Sequence, residues 1–247
     1  MFTKEEQQKL TELVNSNNDF AYYFNKVTNE SKLLTSQISH EIRNPLTLIK
    51  STAQLIETAN PEVKGFKYWN QLKEDIDGLE TLLIEVSKFN HSEAVNKQKQ
   101  NFLLLLKSIV STFRPLAEQN GIELSLTIAE ADIPYYISYP LDSVKISQVF
   151  TNLIRNAFEA SESGCYINIV CKVFAPSLLT IEVQNNGKMI PPDELPTIFR
   201  PFVTYKSGGS GLGLAISSNI IAAHNGTIEV TSSEEKTSFI IQLPLFE

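Results

Sequence analysis

From Lys4 to about Ala59 the chain contains one proline and no glycine, and apolar residues return at helical spacing through Leu34, Ile38, Ile42, Ile49, Ala53 and Ile56. Such a run admits a long helix and little else. Asn60 and Pro61 then supply a cap and a proline tolerated in a first helical turn, after which Leu72, Ile76, Leu79, Leu83 and Val86 step by 4, 3, 4 and 3 residues. These steps form a heptad seam. Two helices joined by a short connection make a hairpin, and a hairpin with one apolar stripe per helix closes its core by pairing with a second copy. The expectation is a homodimeric four-helix bundle over residues 31–91. Residues 1–30 would extend its first helix, although Leu10, Val14, Ala21 and Phe24 make an imperfect seam.

The pattern changes after His91. Residues 92–100 are polar and read as a linker. Over residues 101–247, Asn101 can cap a helix reaching Gln119, Asn120-Gly121 ends it, and Asp142 can cap a second helix through about Ser161. Ile122–Ile128, Tyr135–Tyr139, Cys165–Phe174, Leu178–Gln184, Thr227–Thr231 and Thr237–Leu243 read as strands, and Leu212–Ala223 as an apolar helix. The fold class expected is α+β: a helical hairpin followed by an α/β sandwich of one sheet layered against helices.

At 247 residues with 42% hydrophobic content the chain can bury a core. Its 21 Lys and Arg against 28 Asp and Glu give a net charge of −7, which argues against a nucleic-acid or anionic-membrane surface and for protein and small-molecule partners. Cys165 and Cys171 lie in an apolar alternating stretch and read as buried small side chains. No charged-then-apolar leader or spanning run occurs, so the chain reads as cytoplasmic.

His40 is the most informative residue, in Ser39-His40-Glu41-Ile42-Arg43-Asn44-Pro45-Leu46. At about 100° per residue it lies about 200° from Ile38 and Ile42, so it faces solvent, away from the pairing stripe. Glu41 can hydrogen-bond one imidazole nitrogen and leave the other as a nucleophile. Asn44 shares the face of His40, and Pro45, which crowds the carbonyl of Glu41, should bend the helix beside it. His91 and His224 read as ordinary solvated side chains.

No Walker-type or kinase-type glycine loop is present. Instead Asn152 and Asn156, four apart in a helical stretch, project their amide oxygens from one face, and hard oxygen donors suit Mg²⁺. Val183-Gln184-Asn185-Asn186-Gly187, Ile198-Phe199-Arg200-Pro201-Phe202, and Lys206 followed by Gly208-Gly209-Ser210-Gly211-Leu212-Gly213-Leu214 come after them in that order.

The His40 segment resembles the phosphoacceptor box of the dimerising histidine kinases, and the later segments resemble the N, first glycine, phenylalanine and second glycine boxes of the gyrase, Hsp90, histidine kinase and MutL ATPases. The whole is similar to the cytosolic core of sporulation-type and nitrogen-regulatory-type sensor kinases. The resemblance implies ATP bound through Asn152, Asn156, Asn185, Gly187, Lys206, Gly209, Gly211, Leu212 and Gly213, with Mg²⁺ on Asn156 assisted by Asn152. It implies His40 as phosphoacceptor, Glu41 as its base, Asn44 as the residue that places water for dephosphorylation, and a response-regulator receiver domain as partner. The family carries an aspartate where Asn185 stands; asparagine can still accept from the adenine amino group, without the charge that strengthens such a bond. The rival readings are an ATPase working by conformational change, and a dimeric phosphorelay or scaffold module with a degenerate nucleotide pocket.

Overall fold

The computed structural model describes residues 9–245 apart from 11, 15, 175, 176 and 207; residues 1–8 of the expected N-terminal extension lie outside the described residues. The chain divides into two compact units, residues 1–90 and 91–247. No helix among the described residues is long and apolar enough to cross a membrane.

The first unit is a helical hairpin. The helix expected to run unbroken from Lys4 is interrupted at Asn17, whose extended backbone and side chain, accepting from the Phe20 amide at 3.0 Å, start α1 (Asn18–Ala59). This helix continues through Pro45. The second helix does not start at Pro61: Pro61–Gly65 form a single 3₁₀ turn, and α2 spans Trp69–Asn90. Leu46, Ala53 and Ile76 bury one another with Trp69 and Leu83 packed alongside. Ser39, Leu46 and Ala53, all buried, stand seven residues apart and form the row that α1 turns toward α2. A second row stays outside: Leu34, Ile38, Ile42, Ile49 and Ile56 are 40% to 58% exposed, as are Leu72 and Leu79 of α2.

Charge pairs span the hairpin. Lys50 meets Asp77 at 2.9 Å and Glu80 at 2.6 Å, and these carboxylates raise its pKa. Glu57 accepts from Lys73 at 3.1 Å and from the Trp69 indole at 3.3 Å, and the Lys73 contact leads the effects that lower its pKa.

The second unit opens with β1 (Gln98–Gln100), α3 (Phe102–Asn120), β2 (Glu123–Ile128), α4 (Ile133–Ile137), β3 (Tyr139–Leu141) and α5 (Ser143–Ala160). It continues with β4 (Tyr166–Phe174), β5 (Leu178–Asn185), α6 (Gly213–Ala223), β6 (Thr227–Ser232) and β7 (Thr237–Pro244). The main sheet has the order β2-β4-β5-β7-β6, with β2 parallel to β4 and the other pairs antiparallel. Alternate residues Ile167, Ile169 and Cys171 of β4 and Leu179, Ile181 and Val183 of β5 are buried. The buried faces of α3 (Phe102, Leu106, Val110) and α5 (Ile146, Val149, Phe150, Leu153) complete that core.

The expected caps are in place: Asn101 accepts from Leu104 at 2.8 Å, Gly121 ends α3 in the left-handed region, and Asp142 accepts from Val144 and Lys145. The strand expected at Tyr135–Tyr139 is a different element. Residues 133–137 are a helical turn whose fully buried Tyr136 donates to the Lys172 carbonyl at 2.9 Å, and only Tyr139–Leu141 form a strand, paired with β1. Residues 92–100, expected as a linker, are held against this unit. Ser92 is buried and receives a bond from Asn219 at 3.0 Å, the Asn96 amide donates to Asp142 at 2.9 Å, and β1 pairs with β3.

Candidate functional site

His40, Glu41 and Asn44 are all exposed on α1, while their neighbours Ser39 and Leu46 are buried against α2. The helix thus turns its packing row inward and presents the imidazole, the carboxylate and the carboxamide together on an open surface.

In the second unit, α5 carries the candidate nucleotide residues and α6 lies beside it. Asn152 donates from Nδ2 to Ser217 Oγ at 3.0 Å, and Ser217 in turn donates to the Gly213 carbonyl at 3.0 Å. Asn152 is therefore engaged with the start of α6. Asn156, one turn along α5, behaves differently: its Oδ1 accepts from Lys206 Nζ at 3.1 Å. The same ammonium forms an ion pair with Glu159, three residues beyond Asn156. Asn156 and Lys206, fifty positions apart, are thus brought together, and Glu159 joins them although its residue type alone gave no signal for that place.

Asn185 closes β5 and is 2% exposed, with Nδ2 enclosed and without a hydrogen-bond partner. A buried, unpaired amide is costly in a folded protein and so marks a place where a ligand can complete the bonding. The loop after it is stitched to α5 and to β4: the Lys188 amide donates to the Ala160 carbonyl at 2.7 Å, and the Asn186 side chain accepts from the Tyr166 amide at 2.7 Å. A Cβ on Gly187 would stand 2.1 Å from the Ala160 carbonyl oxygen. Glycine is required at residue 187 because the chain grazes the end of α5.

Residues 198–206 and 208–213 lead back to α6. Ile198 is buried and Phe199 packs edge-on against Phe239 of β7 at 6.4 Å, whereas Phe202, held at φ +62°, is 62% exposed. The Phe202 amide donates to the Gly211 carbonyl at 3.0 Å. Gly211 has φ +70°, and a Cβ there would meet the Val203 carbonyl oxygen at 2.6 Å, so both backbone conformation and space demand glycine. Leu212 is fully buried and anchors this segment, Gly213 begins α6, and Gly209 lies against Thr204 in the turn between Lys206 and Gly211.

A brace unforeseen from the residue pattern lies behind the site. His224, expected to be solvated, is 1% exposed; its Nε2 accepts from the Asp142 amide at 3.0 Å and its Nδ1 donates to the Ile220 carbonyl at 2.7 Å. Desolvation lowers its pKa and keeps the ring neutral, as an accepting Nε2 requires. Desolvation pushes the Asp142 carboxyl up, but amides from Asn96, Lys145 and Val144 together outweigh it and leave the pKa below the ordinary value. His224 at the end of α6 therefore holds the start of α5. Its one sequence signal is its place four residues after Ile220 on an apolar helix.

The donor set is suited to a polyphosphate nucleotide and a hard cation: an unpaired buried amide, a lysine beside carboxamide and carboxylate oxygens, and a glycine-rich turn ahead of a helix. A family model described as histidine kinase-, DNA gyrase B- and HSP90-like ATPase matches residues 141–247, and the His Kinase A (phospho-acceptor) domain matches residues 30–93. Sporulation kinase A of Bacillus subtilis is 34% identical over 214 residues, covering 85% of this chain and 34% of that protein. The sensory histidine kinase/phosphatase NtrB of Rhizobium meliloti is 30% identical over 227 residues, covering 85% of this chain and 58% of that protein. A crystal structure of the histidine kinase ThkA in complex with the response regulator protein TrrA is similar with a TM-score of 0.64 and 25% identity, over 94% of this chain and 68% of that one. The chain thus spans about a third to three fifths of the length of these two curated relatives.

Proposed function

The chain belongs to the histidine kinases, and from that membership we propose that it transfers the γ-phosphoryl group of ATP to its own His40 and passes it to an aspartate on a response-regulator receiver domain. The observation that carries this reading is the bond between Lys206 and Asn156, which gathers the cationic and oxygen-donor residues of an ATPase-type domain.

In the first step a nitrogen of His40 attacks the γ-phosphorus, a nitrogen–phosphorus bond forms, and the bond to the departing ADP oxygen breaks. Glu41, the adjacent carboxylate, accepts a hydrogen bond from the other ring nitrogen and stabilises the positive charge that develops there. Lys206 leaves the Asn156 oxygen and turns to the γ-phosphate, where its charge offsets that of the transferring group. Asn185 meets the adenine edge with its carboxamide oxygen accepting from the amino group and its enclosed Nδ2 donating to a ring nitrogen, and the glycines from 209 to 213 let the backbone pass close to the phosphates. Asn156, with the free oxygen of Asn152 in support, would hold Mg²⁺, which supplies charge neutralisation and orientation of the phosphate oxygens. Asn44, on the face of His40, places water for removal of the phosphoryl group from the regulator.

A second copy of the chain covers the outer row of the stem and makes a homodimeric four-helix bundle, as the exposed residues Ile42, Ile49, Leu72 and Leu79 require. The residues of the domains are 1–30 for the extension, 31–91 for the phosphotransfer stem, 92–100 for the connection and 101–247 for the ATP-binding domain. The reaction belongs in the cytoplasm, whose reducing conditions suit the free thiols of Cys165 and Cys171.

Incubation with γ-labelled ATP tests the proposal. Label that is acid-labile and base-stable identifies a phosphoramidate on histidine; free phosphate alone would instead make the chain a conformational ATPase, and no turnover would make it a scaffold.

A further inference from the structure

Glu159 lies three residues beyond Asn156 on α5, so the two side chains share a face. Both aim an oxygen at the same ammonium: Lys206 Nζ donates to Asn156 Oδ1 at 3.1 Å and pairs with a Glu159 carboxylate oxygen. Neither acid nor base is sequestered, since the Lys206 and Glu159 side chains are 50% and 46% exposed. A pair so exposed contributes little to stability, and its geometry must be explained by what it does. On the reading just proposed, phosphates approach Asn156, and an unshielded carboxylate one turn away would repel them. A carboxylate is tolerated there only with a cation between it and the phosphates. Once Lys206 turns to the phosphates, the place it vacates, between one carboxamide and one carboxylate oxygen, suits a hard divalent cation that takes its other ligands from water and phosphate.

We propose that Glu159 is the anionic ligand of the divalent-cation site, and that Lys206 occupies that site as a resident monovalent cation until a metal–nucleotide complex displaces it. This inference rests on the assignment of the nucleotide site to Asn156 and Lys206. It adds a residue that neither the spacing of the asparagines nor the glycine segments identify. It also gives Lys206 two successive partners: the α5 oxygens first, the phosphates afterwards.

The test measures Mn²⁺ binding by electron paramagnetic resonance on the two-unit chain carrying His40→Gln and saturated with ADP, so that neither phosphoryl transfer nor a γ-phosphate is involved. Glu159→Gln should weaken Mn²⁺ by roughly tenfold or more, and Glu159→Asp should recover part of the loss. Lys206→Ala, which removes the competing ammonium, should tighten Mn²⁺ rather than weaken it. Unchanged Mn²⁺ affinity in Glu159→Gln would overturn the proposal and leave Glu159 as a partner of Lys206 alone. If the parent chain binds neither ADP nor Mn²⁺–ADP, the nucleotide-site reading itself fails, an outcome separate from loss of metal binding in the variant only.

Discussion

The two units of this chain solve the problem of burying apolar surface in opposite ways. The ATPase-type unit closes on itself: Phe102, Tyr136, Leu141, Ile146, Phe150, Leu153, Ile167, Ile169, Leu179 and Ile181 have almost no exposure. Among the described residues, the apolar side chains that the stem buries are Leu46, Ala53 and Ile76 between its two helices and Val63 in the turn that joins them, and a second apolar row is left in the open. A sandwich of sheet and helices has two faces to bring together within one chain, whereas a two-helix hairpin has one contact and a stripe left over. With a second copy covering that row, as proposed, the stability of the stem depends on chain concentration while that of the other unit is its own.

The largest effect should come from the closed core. Phe150 is fully buried and stacks obliquely near Phe102 at 6.0 Å, so Phe150→Ala should cost about 3–5 kcal/mol and lower the melting of the second unit, read by calorimetry. The oligomeric state of the chain should not change; a monomer would mean that the stem borrows its stability from the ATPase unit. The reverse experiment is Ile49→Glu combined with Leu79→Glu, both at positions about half exposed. Each side chain has about half its surface left to cover and so contributes a corresponding half of the ~1.5–3 kcal/mol that full burial of such a side chain is worth, and sedimentation should show loss of self-association at micromolar concentration while the melting of the second unit is unmoved. Retained association would place the dimer contact elsewhere.

The smallest effect is a pH dependence confined to the second unit. Burial lowers the pKa of His224, so the folded state favours the neutral ring, and the stability it contributes is present above the ordinary value of 6.5 and is lost as pH falls toward the lowered folded pKa. Protonation also removes the acceptor for the Asp142 amide. Denaturant midpoints of the second unit should fall as pH drops below 6.5, and His224→Gln should flatten that part of the profile. An identical profile in the variant would remove His224 from the acid response.

Local rules made most of the fold legible in the sequence. Asn101, Gly121 and Asp142 cap helices through contacts within four residues, which is why those boundaries could be read from residue types alone. Short apolar runs were less decipherable. Ile133-Pro134-Tyr135-Tyr136-Ile137 suits strand or helix by composition, and the choice is made by Tyr136 reaching carbonyls on β4 and β5, more than thirty residues away. The outward row of α1 was visible as periodicity, but its division into a covered row at 39, 46 and 53 and an open row at 42, 49 and 56 is set by where α2 packs. At the site, Asn152 and Asn156 were visible as a pair, yet their distinct engagements, Ser217 for one and Lys206 for the other, depend on α6 and on the turn that carries Lys206. His224 and Glu159 remained hidden for the same reason: each acquires its role from a partner more than forty residues distant.

On the proposed mechanism the chemistry is divided between the two units, with the phosphoryl acceptor on the stem and the nucleotide in the ATPase domain. The most direct test measures phosphohistidine formation and nucleotide affinity side by side in His40→Gln and Asn156→Ala. His40→Gln should bind Mg–ATP like the parent and carry no phosphohistidine, because the acceptor is gone and the pocket intact. Asn156→Ala should lose phosphohistidine together with the metal-dependent part of nucleotide binding, although His40 is untouched. Labelled phosphate persisting on His40→Gln, or normal phosphorylation in Asn156→Ala, would contradict the division.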